Sequence, residues 1–313
     1  MTPLVSPAST SRPASSQPVA PLSLTGKYFG SGRSTVSASL VAPAIVAALL
    51  GAMIGSFLNV VIHRVPAGRS IVRPASACPA CGARVRPRDN VPIVSWLLLK
   101  GRCRDCDAQV SRRYPIIELV TAAAFAGVTL VMAGAVLDAR SVPYALAAVT
   151  ALVAHLYFAS ISIALAAIDL DTHRLPDAIV LPSYAVGGAL LSIAAIAADD
   201  LEGLATAAAG AGILFSLYLT LAMITPRGMG MGDVKLSGLI GLYLGWAGWS
   251  AIAVGTLAAF LLGGVLGIIL LATRRASRNT GIPFGPWMLG GAWMGIMLGE
   301  PIAQGYLAIF GLD

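Results

Sequence analysis

The chain has 313 residues, of which 57% are hydrophobic and only 11% are charged. Soluble domains carry about 25% charged residues, and the mean hydropathy of +0.81 is also far from theirs. These values exclude a water-soluble globular domain and predict an all-α polytopic membrane protein. Four cysteines are too few to hold a bundle of this size together by disulfides.

The N-terminal segment, residues 1–38, is rich in Ser, Pro, Ala and Thr, and its only charges are Arg12, Lys27 and Arg33. Such a composition buries too little apolar surface to offset the entropy lost on ordering, so we predict a disordered tail. The segment lacks the short apolar core and the cleavage site of a secretory signal. We assign it no function.

Long apolar windows recur along the rest of the chain. The first, residues 40–62, is long enough to cross about 30 Å of hydrocarbon. Seven similar windows follow, so the sequence predicts about eight transmembrane helices. The seven windows are residues 116–137, 143–168, 178–197, 204–224, 234–249, 250–272 and 284–299.

Basic residues are concentrated between the first two windows. Residues 64–114 contain eleven Lys or Arg and three Asp, which gives this loop a net charge of +8. The positive-inside rule places the loop in the cytoplasm, and alternation from there puts Asp199, Asp200 and Glu202 outside. Arg140 is the one basic residue that this alternation places outside, against the rule. The other basic residues placed inside are Arg174, Arg227, Lys235, Arg274, Arg275 and Arg278.

Two C-x-x-C pairs lie in this basic loop, Cys78 with Cys81 and Cys103 with Cys106, with twenty-one residues between them. This spacing is typical of tetrahedral thiolate coordination of Zn²⁺. We predict a structural ion, since four sulfur ligands leave no open position for catalysis. Two disulfides are the alternative, which a reducing cytoplasm disfavours. No aromatic-rich basic motif accompanies the loop, so we expect membrane lipids, and no nucleic acid, as partners of its charge.

Two short acidic stretches stand among the apolar windows, residues 167–177 and residues 230–235. A carboxylate at bilayer depth is costly unless it is paired or wet, so it indicates a functional site by default. The predicted topology places Asp169 and Asp233 near the same membrane face, and we interpret them as a proton-sharing pair. Gly230 and Gly232 allow close backbone approach beside the second carboxylate.

The alternative for any of these acids is simple solvation at the membrane interface. We expect it for Asp171, Asp177, Asp199 and Asp200. Among the histidines, His155 lies fourteen residues before Asp169 on the same predicted helix, about 21 Å along its axis. It cannot join an interfacial site, so we expect a packed, hydrogen-bonded role for it.

With these motifs the sequence resembles the bacterial prepilin peptidases, GxGD-type membrane aspartic proteases that are also N-methyltransferases. The resemblance covers residues 55–64, 78–118 and 282–286, besides both acidic stretches. In that family's first motif, six residues separate the aspartate from a Pro-Asp or Pro-Asn pair. This spacing selects Asp169, which precedes Pro176 and Asp177. The GxGD motif places the second catalytic carboxylate at Asp233, supported by Gly230, Gly232 and Lys235.

The resemblance implies cleavage of a type IV prepilin or type II secretion pseudopilin after glycine. It also implies N-methylation of the new N-terminus with S-adenosyl-L-methionine. The site would face the cytoplasm from the bacterial inner membrane. We see no G-x-G-x-x-G after a predicted strand, so the methyl-donor site is not assigned to residues.

The domains implied are the tail (1–38), a first transmembrane helix (39–63), a cytoplasmic zinc-binding domain with four cysteine ligands (64–115) and a membrane aspartic protease core (116–313).

A proton-coupled transporter that uses Asp169 and Asp233 as a proton relay is the alternative function. It predicts acids near the bilayer midplane, preferably in symmetric halves of the chain. The sequence shows no internal repeat, and the topology places both acids at one face. A metal-stabilised scaffold without chemistry leaves the paired acids unexplained.

Overall fold

The computed structural model describes residues 38–225, 229–273 and 283–311. Residues 1–37 lie outside these ranges, so the disordered tail stays a prediction. Four basic residues used for the topology, and one residue of the family resemblance, are likewise outside. They are Arg227, Arg274, Arg275, Arg278 and Ile282.

The described part of the chain is all-α. It also contains a 3₁₀ turn at Pro87–Asp89 and two isolated β-bridges, and neither bridge extends into a β-strand. Eight of its nine α-helices are long, and each predicted apolar window overlaps one of them. The all-α membrane architecture expected from composition is therefore confirmed. The helices are α1 (Ala38–Arg64), α2 (Val94–Leu98), α3 (Arg113–Leu137), α4 (Val142–Thr172), α5 (Asp177–Ala198), α6 (Leu201–Ile224), α7 (Met231–Ala247), α8 (Trp249–Ala272) and α9 (Gly285–Ile309).

Among the described residues, six helices are long and apolar enough to cross a membrane: α1, α3, α4, α5, α6 and α8. The other two long helices, α7 and α9, do not meet this criterion, although each overlaps one of the eight predicted windows. Helix α7 has only 17 residues and opens with Gly232, Asp233 and Lys235 in its first turns. It ends at Ala247, and the next residue, Gly248, has a φ of 118° that suits glycine alone and separates α7 from α8.

Small residues let the long helices approach closely in pairs. This is common in membranes, because helices surrounded by apolar lipid have no hydrophobic driving force to associate and depend on close packing instead. A Cβ at Gly51 of α1 would lie 2.7 Å from the Thr121 carbonyl oxygen of α3. A Cβ at Gly291 of α9 would lie 2.5 Å from the Ala259 nitrogen of α8. Gly210 of α6 is packed in the same way against α7. These contacts fix three helix pairs of the bundle.

Helix α7 is the centre of the bundle and is buried on most of its surface. Its Tyr243 stacks on Phe158 of α4, with ring centroids 4.2 Å apart, and donates a hydrogen bond of 3.2 Å to the Ala154 carbonyl. His155 lies edge-on to the same tyrosine and its Nδ1 is 2.8 Å from the Ala151 carbonyl oxygen. The packed, hydrogen-bonded role expected for His155 is therefore confirmed.

Successive long helices run antiparallel, so alternate connections meet at the same end of the bundle. One end holds the loop between α1 and α3, which contains the four cysteines, together with the α4–α5 connection and the starts of α7 and α9. Contacts between residues far apart in sequence confirm this: Lys235 of α7 pairs with Asp177 of α5, and Arg113 of α3 pairs with Asp171 of α4. We call this the loop end of the bundle.

Candidate active site and metal centre

Asp169 lies in the last turn of α4, at the loop end of the bundle, and its side chain is buried, with 4% of its surface exposed. Its Oδ2 accepts a hydrogen bond of 3.0 Å from the backbone N–H of Gly285, the first residue of α9. A Cβ at Gly285 would lie 2.8 Å from the same oxygen. Only glycine therefore lets the start of α9 approach this carboxylate so closely.

Asp233 is the third residue of α7, and its side chain is half-buried. Its Oδ2 accepts a hydrogen bond of 3.1 Å from the backbone N–H of Gly230, the residue just before the helix. A carboxylate in the first turn also interacts favourably with the helix dipole. The GxGD sequence thus folds locally into a helix start that holds its own carboxylate in place.

The Asp169 and Asp233 stretches lie next to each other at the loop end of the bundle. Leu175, in the connection between α4 and α5, shows how the two stretches meet. A Cβ at Gly232 would lie 3.1 Å from the Leu175 Cβ, and one at Gly285 would lie 3.3 Å from its Cδ2. One leucine therefore packs against both the GxGD turn and the glycine that binds Asp169. Both acidic stretches and the start of α9 form a single site.

The supporting residues of the two motifs connect the same helices. Pro176 precedes α5, and Asp177 is the first residue of that helix. The Lys235 Nζ donates to both carboxylate oxygens of Asp177, at 2.9 Å and 2.8 Å. The first motif is thereby joined to the second by an ion pair across 58 residues of sequence.

The four acids expected to be solvated differ in the structure. Asp199 is exposed as expected. Asp171 and Asp177 are exposed in part, but each also forms an ion pair. For Asp200 the expectation is wrong: only 6% of its surface is exposed, because its carboxylate accepts a hydrogen bond of 2.8 Å from the Gly203 N–H at the start of α6.

Tyr218 of α6 is a residue of this site that the sequence did not reveal. It is 2% exposed, and its ring packs against Phe260 and Phe284 at centroid distances of 5.6 Å and 6.3 Å. Phe284 directly precedes Gly285, whose N–H binds Asp169, so Tyr218 packs beside the start of α9. Nothing in an apolar helix marks one tyrosine as a neighbour of a distant carboxylate, so only the packing of the helices identifies it.

The four cysteines of the loop converge on one point. The Sγ atoms of Cys78, Cys81, Cys103 and Cys106 all lie within 4.8 Å of one another, and none is in a disulfide. The Cys78 and Cys106 sulfurs are 3.8 Å apart. A tetrahedral ion with Zn–S bonds of about 2.3 Å requires sulfurs about 3.8 Å apart. The residues therefore fit a metal ion bound by four thiolates.

Each C-x-x-C pair folds into the same turn. The residue after the second cysteine, Gly82 in one turn and Asp107 in the other, has a left-handed φ of 73° or 56°. It donates its N–H to the carbonyl of the first cysteine, at 2.9 Å to Cys78 and 3.0 Å to Cys103. Two equivalent turns thus present two pairs of sulfurs to one ion.

Two of the four thiols differ in charge preference when no ion is bound. The Ala108 N–H stabilises the Cys106 thiolate, but contacts with the other three cysteine side chains and burial together raise the pKa of Cys106, whereas Cys78 favours the charge state that a metal requires. Backbone N–H groups of Cys81 and Ala80 lower the pKa of the Cys78 thiol to about 7, so its thiolate is readily formed. Around the cluster, Arg104 binds both oxygens of Asp89 and holds the pKa of that carboxyl below its usual value. The second cysteine turn is thereby tied to the 3₁₀ turn that contains Asp89.

Fold and site together define a class: a polytopic membrane protein that has carboxylates on two of its helices, and a loop with four cysteines that could hold a metal ion, at the same end of its bundle. Residues 49–132 match the model of the bacterial peptidase A24 N-terminal domain, and residues 156–271 match that of the type IV leader peptidase family. The chain belongs to the type IV leader peptidase family. The resemblance stated from the motifs is therefore confirmed.

Curated relatives cover most of the chain. A protein of Pseudomonas aeruginosa is 33% identical over 287 residues, which cover 84% of this chain and 93% of the relative. A protein of Aeromonas salmonicida is 33% identical over 83% of this chain and 92% of its own length. One of Dickeya chrysanthemi is 35% identical over 80% and 90%. All three are named prepilin leader peptidase/N-methyltransferase. No solved structure matches the chain significantly.

Proposed function

We propose that this protein cleaves the leader peptide of type IV prepilins or type II secretion pseudopilins and then N-methylates the new N-terminus. The observation that carries the proposal is that Gly285 binds Asp169 while Leu175 packs against both Gly285 and Gly232 of the Asp233 turn, in a chain that aligns over most of its length with prepilin leader peptidases. The names of these relatives do not support the alternative of a proton-coupled transporter. That alternative also predicts acids near the bilayer midplane, whereas Asp169 and Asp233 lie at one end of the bundle.

The proposed hydrolysis needs only the two carboxyl groups and a water molecule. In this scheme one carboxyl group of the pair keeps its proton while the other is ionised. The ionised member takes a proton from water, and the water oxygen attacks the carbonyl carbon of the peptide bond. The protonated member donates a hydrogen bond to the carbonyl oxygen. Collapse of the tetrahedral intermediate breaks the C–N bond, and the leaving amine takes up a proton from the pair.

Two backbone N–H groups support this chemistry in the same way. The Gly285 N–H binds one oxygen of Asp169 and leaves the other available, while the Gly230 N–H does the same for Asp233. Each carboxyl group is therefore oriented without an additional side chain. No covalent enzyme intermediate is required in this scheme.

The substrate and the orientation follow from the charge pattern. We propose that the loop end faces the cytoplasm of a bacterial inner membrane, because residues 64–114 carry a net charge of +8. A substrate with a basic leader and an apolar helix would be retained on that side by the same rule, and would be cut after glycine beside the membrane face. Membrane lipids, with no nucleic acid, account for the basic surface of the loop.

We propose zinc as the metal of the four-cysteine loop, with a structural role. Four thiolates suit Zn²⁺ and leave no position for substrate. The bound ion would join two turns of a segment that has little apolar core. For the second activity, S-adenosyl-L-methionine supplies the methyl group to the new N-terminal amine. We assign no residues to its site.

Incubation of the purified full-length protein with a model prepilin tests the proposal, with mass spectrometry of the product N-terminus. With the methyl donor present we expect loss of the leader and a gain of one methyl group on the new amine. Without the donor we expect the same cleavage and no methyl group. An intact prepilin under both conditions, with a folded and metal-loaded protein, would overturn the proposed function.

A further inference from the structure

Arg113 connects the four-cysteine loop to the helix that carries Asp169. It is the first residue of α3, seven residues after the last cysteine of the loop. Its Nη1 forms an ion pair of 2.5 Å with Asp171, and its Nη2 donates a hydrogen bond of 3.2 Å to the Ala167 carbonyl. These two contacts lie two residues after and two residues before Asp169. The guanidinium therefore spans the one turn of α4 that contains the carboxylate.

The start of α3 is itself fixed to the loop and to α1. Buried Glu118 accepts a hydrogen bond of 2.6 Å from the backbone N–H of Ile93, a loop residue with a left-handed φ of 63°. Asn59 of α1 donates a hydrogen bond of 3.2 Å to the Tyr114 carbonyl. Both contacts hold the backbone from which Arg113 reaches α4. A chain of direct contacts thus leads from the loop to the turn around Asp169.

We propose that Arg113 is a positioning residue for the peptidase reaction, and that through it the folded four-cysteine loop sets the position of Asp169. The proposal rests on the proposed function of Asp169. Arg113 acts on the carboxylate through the backbone of α4 and through Asp171. The loop supplies no group that reacts in hydrolysis. It is nevertheless part of the framework that holds Asp169 in place for the reaction.

The chemistry of the side chain explains why arginine stands here. A guanidinium presents several N–H donors in a rigid plane, so it can bind a carboxylate and a carbonyl at the same time in fixed geometry. A lysine ammonium is a point charge on a flexible stem and holds such a pair of acceptors less rigidly. Arg113→Lys should therefore restore the charge but only part of the positioning.

The neighbouring residue offers a matched control. Arg112 precedes α3 by one residue, has the same charge and is exposed. Arg112→Ala removes the same charge from the same face of the protein as Arg113→Ala does. A general effect of charge on substrate attraction would appear equally in both variants, whereas an effect of positioning would appear only in Arg113→Ala.

The experiment measures initial rates of model prepilin cleavage against substrate concentration in purified full-length variants. We expect Arg113→Ala to lower kcat by about tenfold or more with KM changed less than about twofold, because small misplacements of reacting groups are costly. Arg113→Lys should be intermediate and Arg112→Ala unchanged. Adding Asp171→Asn to Arg113→Ala should lower kcat little further, since the two residues act as one unit.

Hydrogen exchange gives a second, activity-independent result. Amides of residues 168–173 should exchange faster in Arg113→Ala than in wild type or Arg112→Ala. Equal exchange, or equal kcat in Arg113→Ala and Arg112→Ala, would overturn the proposal. If Arg113→Ala does not fold, Arg113→Lys is compared with Arg112→Lys by the same measurements of kcat and hydrogen exchange, and equal values in these two variants would overturn the proposal. If wild type does not cleave, the proposed function fails, whereas the exchange comparison still decides the role of Arg113.

Discussion

The backbone N–H of Gly285 donates a hydrogen bond of 3.0 Å to Asp169, across 116 residues of sequence. The first residue of α9 thereby orients a carboxylate in the last turn of α4. This contact depends on the missing side chain, because a Cβ at Gly285 would lie 2.8 Å from the oxygen it binds.

Gly285→Ala should therefore impair cleavage although it adds only one methyl group. The Cβ must displace either the Asp169 carboxylate or the start of α9, and a displacement of about 1 Å can cost about 10²-fold in rate. Gly290→Ala is the control on the same helix, since a Cβ there meets only the Leu262 Cδ1 at an ordinary 3.6 Å. Rates of prepilin cleavage by the two variants test this, and equal rates would contradict it.

The assignment of Asp169, rather than Asp171, as the catalytic member of the first stretch makes a direct prediction. Asp169→Asn and Asp233→Asn should each lower cleavage at least about 10²-fold, because each removes a group that exchanges protons in the reaction. Asp171→Asn weakens only the pair with Arg113 and should retain measurable cleavage. If Asp171→Asn abolishes cleavage while Asp169→Asn does not, the assignment is wrong.

The ion pair between Lys235 and Asp177 predicts that substitutions of these two residues have coupled effects on cleavage and only a small effect on the free energy of unfolding. Both side chains are exposed in part, and such pairs contribute only about 0–1 kcal/mol to folding. Lys235→Ala and Asp177→Ala should therefore fold. Their effects on cleavage should be non-additive, so that the double variant resembles the worse single variant. Strictly additive losses in kcat would show that the pair does not act as a unit.

The metal prediction is tested by composition and by protease sensitivity. Purified protein should contain about one zinc per chain, and Cys78→Ser should lose it, because tetrahedral coordination requires all four thiolates. The segment from Cys78 to Cys106 should then be cut more readily by added protease. Absence of metal together with blocked thiols after non-reducing purification would favour disulfides and would reverse the orientation inferred for the loop.

The sequence predicted the helices well because their signal is local. An apolar window predicts a long helix, and every long helix in the described part of the chain overlaps such a window, although only six of the eight are long and apolar enough to cross a membrane. The boundary between α7 and α8 was also visible, since the predicted windows 234–249 and 250–272 meet within two residues of Gly248. The four cysteines could be paired by spacing alone because each C-x-x-C turn is self-contained.

The remaining features of the site depend on which helices are neighbours, and local patterns do not determine that. Gly285 reaches Asp169, and Lys235 reaches Asp177, only because α9 and α7 begin beside the end of α4. Alternation of the spans could place these residues at one face but could not select the pairs. Tyr218 could not be distinguished from other aromatic residues of the membrane helices until its packing against Phe284 was seen.

The last prediction separates the two proposed chemistries. Cleavage must come first, because the amine to be methylated is otherwise held in a peptide bond. Asp233→Asn should therefore lose both products on intact prepilin, yet should methylate a pre-cleaved substrate with a free N-terminal amine, since methyl transfer has no need of the carboxyl pair. Mass spectrometry of both substrates with S-adenosyl-L-methionine measures this. If Asp233→Asn binds the pre-cleaved substrate and remains folded but cannot methylate it, the two activities share one site.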